Sequence, residues 1–226
     1  MILPVLKAHY INSTMNIPDN FHIVDHALLK HKLSILRDIN TRSKEFRELT
    51  REITSLLAYQ ATKELHTSMY DIQTPITAAK GYKVELDNIV LIPVLRAGLG
   101  MLQGMLDLIP NSHVGYIGME RDHNTHLPVD YYFKIPKEAD KKTFIILDPM
   151  LATGGTMIAA IDRLKKLGAN DILSISIISS PEGMKEFCKQ HQDVDIYTGA
   201  LDEKLNKNKY IVPGLGDAGD RLYGTE

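Results

Sequence analysis

The stretch TFIILDPMLATGGTMIAAIDRLKKLG, residues 143–168, decides the fold class. Thr143 to Leu147 is a short run, apolar from Phe144 onward and bounded by turn residues, which predicts a buried strand. The strand ends in Asp148, and a loop carries Ala152, Thr153, Gly154, Gly155 and Thr156. A helix is predicted from Thr156 to Leu167, closed by Gly168 as its C-cap. In a parallel sheet the ligand crevice lies at the carboxyl ends of the strands. A helix N-terminus placed there offers unpaired N–H groups and the positive end of its dipole, which suits a phosphate. Two glycines let the backbone curl its amides around the anion, and the threonine hydroxyls add donors. Asp148 would repel that phosphate, so it is expected to face hydroxyls or a metal beside it. An acid next to an anion cradle points to a phosphorylated sugar. The bland alternative is a tight strand-to-helix turn that uses its glycines for geometry alone.

Strand and helix patterns alternate on both sides of this unit. Ile89 to Leu95 reads as a buried strand, although Pro93 pushes it toward an edge or a bend. Gly98 to Ile109 reads as the helix after it, and Val114 to Met119 and Val129 to Ile135 as extended segments around a polar stretch from Glu120 to Pro128. Ile172 to Ile178 and Val194 to Ala200 are further strands, separated by a helix from Pro181 to His191. Strands alternating with helices of this length imply crossover units and a parallel sheet flanked by helices, an α/β fold. Upstream, Ser43 can cap an amphipathic helix marked by Phe46, Leu49, Ile53, Leu56 and Leu57 and running to about Leu65. Pro75 and Gly81 punctuate short extended segments, and residues 1 to about 24 read as an arm. With no repeat and no linker, one domain over 1–226 is expected.

Composition narrows the function. Among 226 residues, 26 Lys and Arg against 28 Asp and Glu leave a net charge of −2, and no basic run exceeds Lys141-Lys142 or Lys165-Lys166. Nucleic-acid and anionic-membrane binders concentrate positive charge, so neither partner is expected. Cys188 is the one cysteine, which excludes an intrachain disulfide and a cysteine zinc site. No apolar run approaches the roughly 18 residues of a membrane helix, and the N-terminus lacks a signal-peptide pattern, so a cytoplasmic protein is expected.

Three glycine patterns need separating. The 143–168 loop is no Walker A motif, because no lysine follows its glycines. Arg96 to Gly104 approximates a dinucleotide fingerprint, but its third glycine falls one position late. Gly214 to Gly219 fits that fingerprint, yet seven residues remain after it, too few for a crossover helix and second strand. Those glycines serve something other than NAD.

VLRAGLGM (94–101), DPMLATGGT (148–156) and YIVPGLGDAGDRLYGTE (210–226) together resemble the uracil phosphoribosyltransferases, a branch of the type I phosphoribosyltransferase family. The similarity runs from about His22 to the C-terminus and includes KHKLSILRD, SKEFRELTREITSLLAYQAT and SSPEGMKEF. It implies transfer of the 5-phosphoribosyl group from 5-phosphoribosyl 1-diphosphate to uracil, giving UMP and pyrophosphate in pyrimidine salvage, with Mg²⁺. Arg96 and Arg121 match the family's diphosphate-binding arginines. Asp148, Pro149, Met150, Leu151, Ala152, Thr153, Gly154, Gly155 and Thr156 match its ribose 5-phosphate loop. Residues 210–226 match a hood over the base, in which Ile211, Gly216 and Ala218 would read uracil by backbone groups. Asp217 there would face the diphosphate substrate or its metal, and no fixed protein metal site is implied. A homo-oligomer, dimer or tetramer, is also implied. The chain departs from the pattern at Glu120, where an aromatic residue is common, and at His126-Leu127, where Leu-Glu is usual. Residues 1–21 lie outside the resemblance.

Such a reaction builds negative charge on the leaving pyrophosphate and positive charge on the sugar, so positioning and electrostatics suffice and no covalent nucleophile is needed. Cys188, beside Phe187 in a helix, is read as a small buried hydrophobe rather than a thiolate paired with His191. His22/His26 and His123/His126 have metal-like spacing but no obvious third ligand. Arg42, Lys44, Arg47 and Arg51 alternate with Glu45, Glu48 and Glu52 as a solvated face; the resemblance admits an activating nucleotide such as GTP there. Asp25, Arg37 and Asp38 are read as structural. Two other functions are weighed: an RNA-binding regulator on the same fold, which a salt titration would reveal, and a purine phosphoribosyltransferase. The second would show paired acids before the loop, where Pro149 follows Asp148.

Overall fold

Ile89–Leu95 (β4) and Thr143–Leu147 (β8) lie side by side and parallel, with Pro93 opposite Leu147. They form the middle of the sheet that carries the molecule. The computed structural model describes residues 15–121 and 128–225, with the backbone alone at 120, 121 and 128–130. Among them a nine-stranded sheet runs in the order β1 (Phe21–Ile23), β11 (Asp195–Leu201), β10 (Asp171–Ser179), β8, β4, β6 (Tyr116–Arg121), β7 (Pro128–Lys134). Two short strands, β5 (His113–Val114) and β9 (Met150–Leu151), pair beside β4 and β10. All pairings are parallel except β6 with β7, as the crossover pattern predicts.

Helices α1 (Ala27–Arg37), α2 (Ser43–Ala61) and α3 (Leu99–Leu108) cover one face, burying Leu29, Leu36, Phe46, Ile53, Leu57, Met101 and Met105 against β4, β8 and β10. Helices α4 (Gly155–Lys165) and α5 (Pro181–Gln190) cover the other with Met157, Ile161, Leu164, Met184 and Phe187. α2 and α3 approach so closely that a Cβ on Gly104 would collide with the Arg51 carbonyl. Two ribbons stand off the sheet: β2 (Thr67–Gln73) with β3 (Ala78–Val84), and β12 (Lys204–Leu205) with β13 (Ile211–Val212). A six-residue helix, α6 (Ala218–Tyr223), ends the described chain.

Three expectations need correction. Pro93 is central rather than at an edge. Leu91 turns its carbonyl toward Gly115 N at 2.9 Å, and residue 93 faces the same side by the two-residue alternation of a strand. The donor that proline lacks therefore points at Gly115, where the ladder is interrupted between β5 and β6. The arm yields a strand in its last part, since Phe21–Ile23 add to β11 at the sheet edge. Ser43 is the first helical residue of α2, not its cap; Arg42 holds that place without a side-chain bond, and the helix ends at Ala61 rather than near Leu65. As expected, Gly214 to Gly219 serve no dinucleotide crossover, since they lead only into the short α6. Residues 1–14, with most of the arm, and the pair His123/His126 lie outside the described residues.

Candidate active site

The 148–156 loop is built by pairing before it turns. After β8, Pro149 accepts hydrogen bonds from Ile177 N (3.0 Å) and Ile178 N (3.1 Å), and Met150–Leu151 pair with β10. Residues 148–151 are therefore extended alongside β10, and the turn begins at Ala152. Ser180 holds that point: its N–H donates to the Leu151 carbonyl at 3.0 Å and its hydroxyl to the Ala152 carbonyl at 2.6 Å. The same hydroxyl accepts from Gly183 N at 2.9 Å as the N-cap of α5. A Cβ on Gly183 would collide with the Ala152 carbonyl, so α5 sits directly on the loop. Gly154 then takes φ +82°, the left-handed region that glycine tolerates, and α4 starts at Gly155. A Cβ on Gly155 would meet nothing nearer than Thr153 Oγ1 at 3.7 Å. The start of α4 is thus unobstructed at Gly155, and the N–H groups of a helix's first turn suit an anion.

The neighbouring loop belongs to β4. Gly98 presses so close to the sheet that a Cβ would collide with the Leu147 carbonyl and come within 2.5 Å of Val94 N. That contact ties residues 95–98 to the end of β8. Arg96 emerges 58% exposed, with Nη2 3.7 Å from Asp220 Oδ1. Its charge is only loosely engaged. The Leu95–Arg96 peptide is cis.

The C-terminal segment settles onto this loop. Tyr223 donates its hydroxyl to the Arg96 carbonyl at 3.2 Å, Leu222 packs against Gly100, and Gly219 faces Ala97. Asp217 caps α6, accepting from Asp220 N at 3.0 Å. Arg96, Asp148, the 152–156 turn and residues 216–223 therefore gather at the carboxyl ends of adjacent strands. Arg121 ends β6, the strand beside β4, and its side chain lies outside the described residues.

Asp148 directly follows β8. Burial pushes its carboxyl from an ordinary 3.8 up to about 6, and the one opposing contribution is a long bond from Met150 N at 3.3 Å. Because the folded value exceeds the unfolded one, the acid's favourable contribution exists below pH 3.8 and is lost as pH rises through about 6. Ionised Asp148 therefore destabilises the fold at neutral pH, by at most about 3 kcal/mol. Asp148→Asn is expected to raise Tm at pH 7.5 and to lose that advantage below pH 4.

Other residues have plainer roles. Cys188 is buried, and burial pushes its thiol up to about 11, which makes it inert. His22 pairs with Asp195 and stacks on Tyr197, while His26 Nδ1 caps α1. On α2, Lys44 pairs with Glu48, Arg51 with Asp107, and Glu52 with Lys32. Arg37 is bound to Asp202. Reading the sequence missed Ser180, Gly183, Asp202, Arg221 and Tyr223 as parts of the site's frame. Only Ser180-Pro181 carried a local signal, a cap followed by proline.

These features agree with what the chain is similar to. A family model described as uracil phosphoribosyltransferase matches residues 23–225. A uracil phosphoribosyltransferase of Fervidobacterium nodosum is 55% identical over 205 residues, 91% of this chain and 99% of the relative. One from Dictyoglomus thermophilum is 52% identical over 204 residues, covering 90% of this chain and 99% of its own. A solved Aquifex aeolicus protein superposes with a TM-score of 0.86 at 37% identity, over 91% of this chain and 99% of that one. With its 94–101, 148–156 and 210–225 segments brought to one end of the sheet, the chain belongs to the uracil phosphoribosyltransferase family.

Proposed function

We propose that this chain transfers the 5-phosphoribosyl group from 5-phosphoribosyl 1-diphosphate to uracil, forming UMP and releasing pyrophosphate. The convergence of the Arg96 loop, the 148–156 cradle and the α6 segment carries this reading, because it supplies a diphosphate site, a phosphate site and a base site side by side. Residues 149–156 hold the 5-phosphate through the start of α4, and Asp148 accepts from the ribose hydroxyls. Arg96 and Arg121 neutralise charge growing on the departing pyrophosphate. Asp217 lies toward the same diphosphate. Ile211, Gly216 and Ala218 meet uracil with backbone groups. We take residues 1–226 as one domain, with 1–21 as an N-terminal arm and 210–226 as the hood.

Magnesium fits this donor set. Asp148 and Asp217 are hard oxygen donors, each with one oxygen engaged by a backbone N–H. When bound, Mg²⁺ would add positive charge beside the diphosphate, with most of its ligands supplied by substrate oxygens and water. Turnover is expected to vanish in excess chelator and to return with added Mg²⁺; equal activity in both would remove the ion from the scheme.

Substrate choice is tested by offering uracil, cytosine, hypoxanthine, guanine and adenine as acceptors. Use of uracil alone is the expected outcome, and a purine used as well as uracil would overturn the reading. No helix among the described residues is long and apolar enough to cross a membrane. A cytoplasmic salvage role follows from the substrates. Tyr59, Met69, Tyr70, Ile76 and Tyr82 stand exposed on α2 and the β2–β3 ribbon, which supports a homo-oligomer.

A further inference from the structure

The turn before α6 is gripped from beneath by charged side chains that the reaction itself does not use. Arg37, the last residue of α1, forks onto Asp202, which follows β11: Nη2 to Oδ1 is 2.5 Å and Nη1 to Oδ2 is 2.7 Å. The Asp202 side chain is 5% exposed. Both partners also hold one residue of the turn. Arg37 Nη1 donates to the Gly214 carbonyl at 2.6 Å, and Gly214 N donates to Asp202 Oδ2 at 2.9 Å. Arg221 completes the grip, donating to the Leu215 carbonyl at 2.9 Å while also bonding the carbonyls of Leu36 and Asp38.

Peptide geometry turns this grip into an orientation. The 214–215 and 215–216 peptides are trans, so the carbonyl of one residue and the N–H of the next point to opposite sides. With the Gly214 and Leu215 carbonyls held by arginines, the N–H groups of Leu215 and Gly216 must face away from them. Neither N–H has a hydrogen-bond partner among the described residues, and Gly216 is exposed at φ +81°. A fixed, exposed, unpaired donor is what a carbonyl-bearing base requires.

We propose that Arg37 and Asp202 are positioning residues for base recognition: by clamping both the N–H and the carbonyl of Gly214 they set the turn so that the next carbonyl, of Leu215, meets Arg221, and the Gly216 amide of that peptide is thereby held toward the base. This rests on the reading that the 210–219 segment carries uracil. The arrangement joins α1, β11 and the hood in one buried pair, so the base site is set by the core rather than by the loop's own sequence.

The test uses the full chain. Removing one partner would leave a buried charge unpaired, so the first variant is the double exchange Arg37→Met/Asp202→Leu, which removes both charges together. The second, Arg37→Lys, keeps the charge and loses the fork. In each, KM for uracil is expected to rise about 10- to 100-fold, as loss of a charge-assisted hydrogen bond allows. Kd for the ribosyl diphosphate should stay within about threefold, and the preference for uracil over cytosine should narrow. Should the double variant fail to fold, Arg37→Lys decides alone. An unchanged KM for uracil, or a parallel loss for both substrates, overturns the proposal by making the pair merely structural. If Gly216→Val sharply lowers uracil transfer while these variants leave KM for uracil unchanged, this inference alone fails. If Gly216→Val is also harmless, the base site itself has been misplaced.

Discussion

Arg96→Ala is expected to lower kcat/KM by about 10²–10³, because a charged donor aimed at a leaving group contributes about 2.7–4 kcal/mol in the transition state. The geometry makes this a test of chemistry rather than of folding. Arg96 is more than half exposed, and its one ion pair among the described residues, to Asp220, is long at 3.7 Å. Contacts of that kind contribute little to stability, so Tm should move by no more than an exposed substitution does, about 0.5 kcal/mol in free energy. The backbone at this position is held by other groups: Gly98 against the sheet and Tyr223 on the Arg96 carbonyl. Arg96→Lys keeps the charge but loses the planar fork that matches a diphosphate, and should fall between the two. A loss below threefold for the alanine variant would make Arg96 a helix-entry residue and nothing more.

Why this loop was legible, and other parts of the site were not, is a matter of how far apart the interacting residues lie. The 143–168 unit encodes itself locally. Its strand is a continuous apolar run, its turn needs a glycine at φ +82°, and its helix repeats apolar residues at 157, 158, 161 and 164. The start of α1 was invisible because histidine is not a usual cap, yet His26 Nδ1 accepts from Leu28 N at 3.2 Å. β1 is three residues long and exists only through pairing with β11, more than 170 positions away. Pro181 reads as a helix start, but the hold of Ser180 on Ala152 shows only when β10 delivers it there. The Arg37–Asp202 pair spans 165 positions and leaves no periodicity at all. Chemistry carried by one turn can be read from one turn, while the frame that aims it depends on distant elements meeting.

The second large effect concerns how uracil is chosen. Uracil presents two carbonyl acceptors flanking an N–H donor, and cytosine replaces one carbonyl by an amine. The Tyr210 to Gly219 segment can answer that pattern with backbone groups, since Asp217 is its one ionisable side chain beyond Tyr210 and its carboxylate already caps α6. Gly216 is exposed and takes φ +81°, where a β-branched residue is strained by about 1–3 kcal/mol. Space alone would not forbid a side chain there, for a Cβ would meet only Arg221 Cδ at 3.5 Å. Gly216→Val therefore acts in two ways: it drives the backbone out of the left-handed region, turning the amide, and it places two methyl groups beside the base. A site built on fixed donors rejects mismatches because each buried unpaired group costs about 1–3 kcal/mol, so a turned amide should reject uracil itself. Uracil transfer is expected to fall by about 30- to 10⁴-fold, the two effects together amounting to about 2–6 kcal/mol. Titration of the variant with ribosyl diphosphate alone should give near wild-type affinity, because that cradle lies at residues 148–156 and shares no hydrogen bond with Gly216. Loss of both ligands together would mean that the variant disturbs the whole end of the sheet. Transfer of uracil at a near wild-type rate would mean that the base lies elsewhere, and the hood assignment would fail.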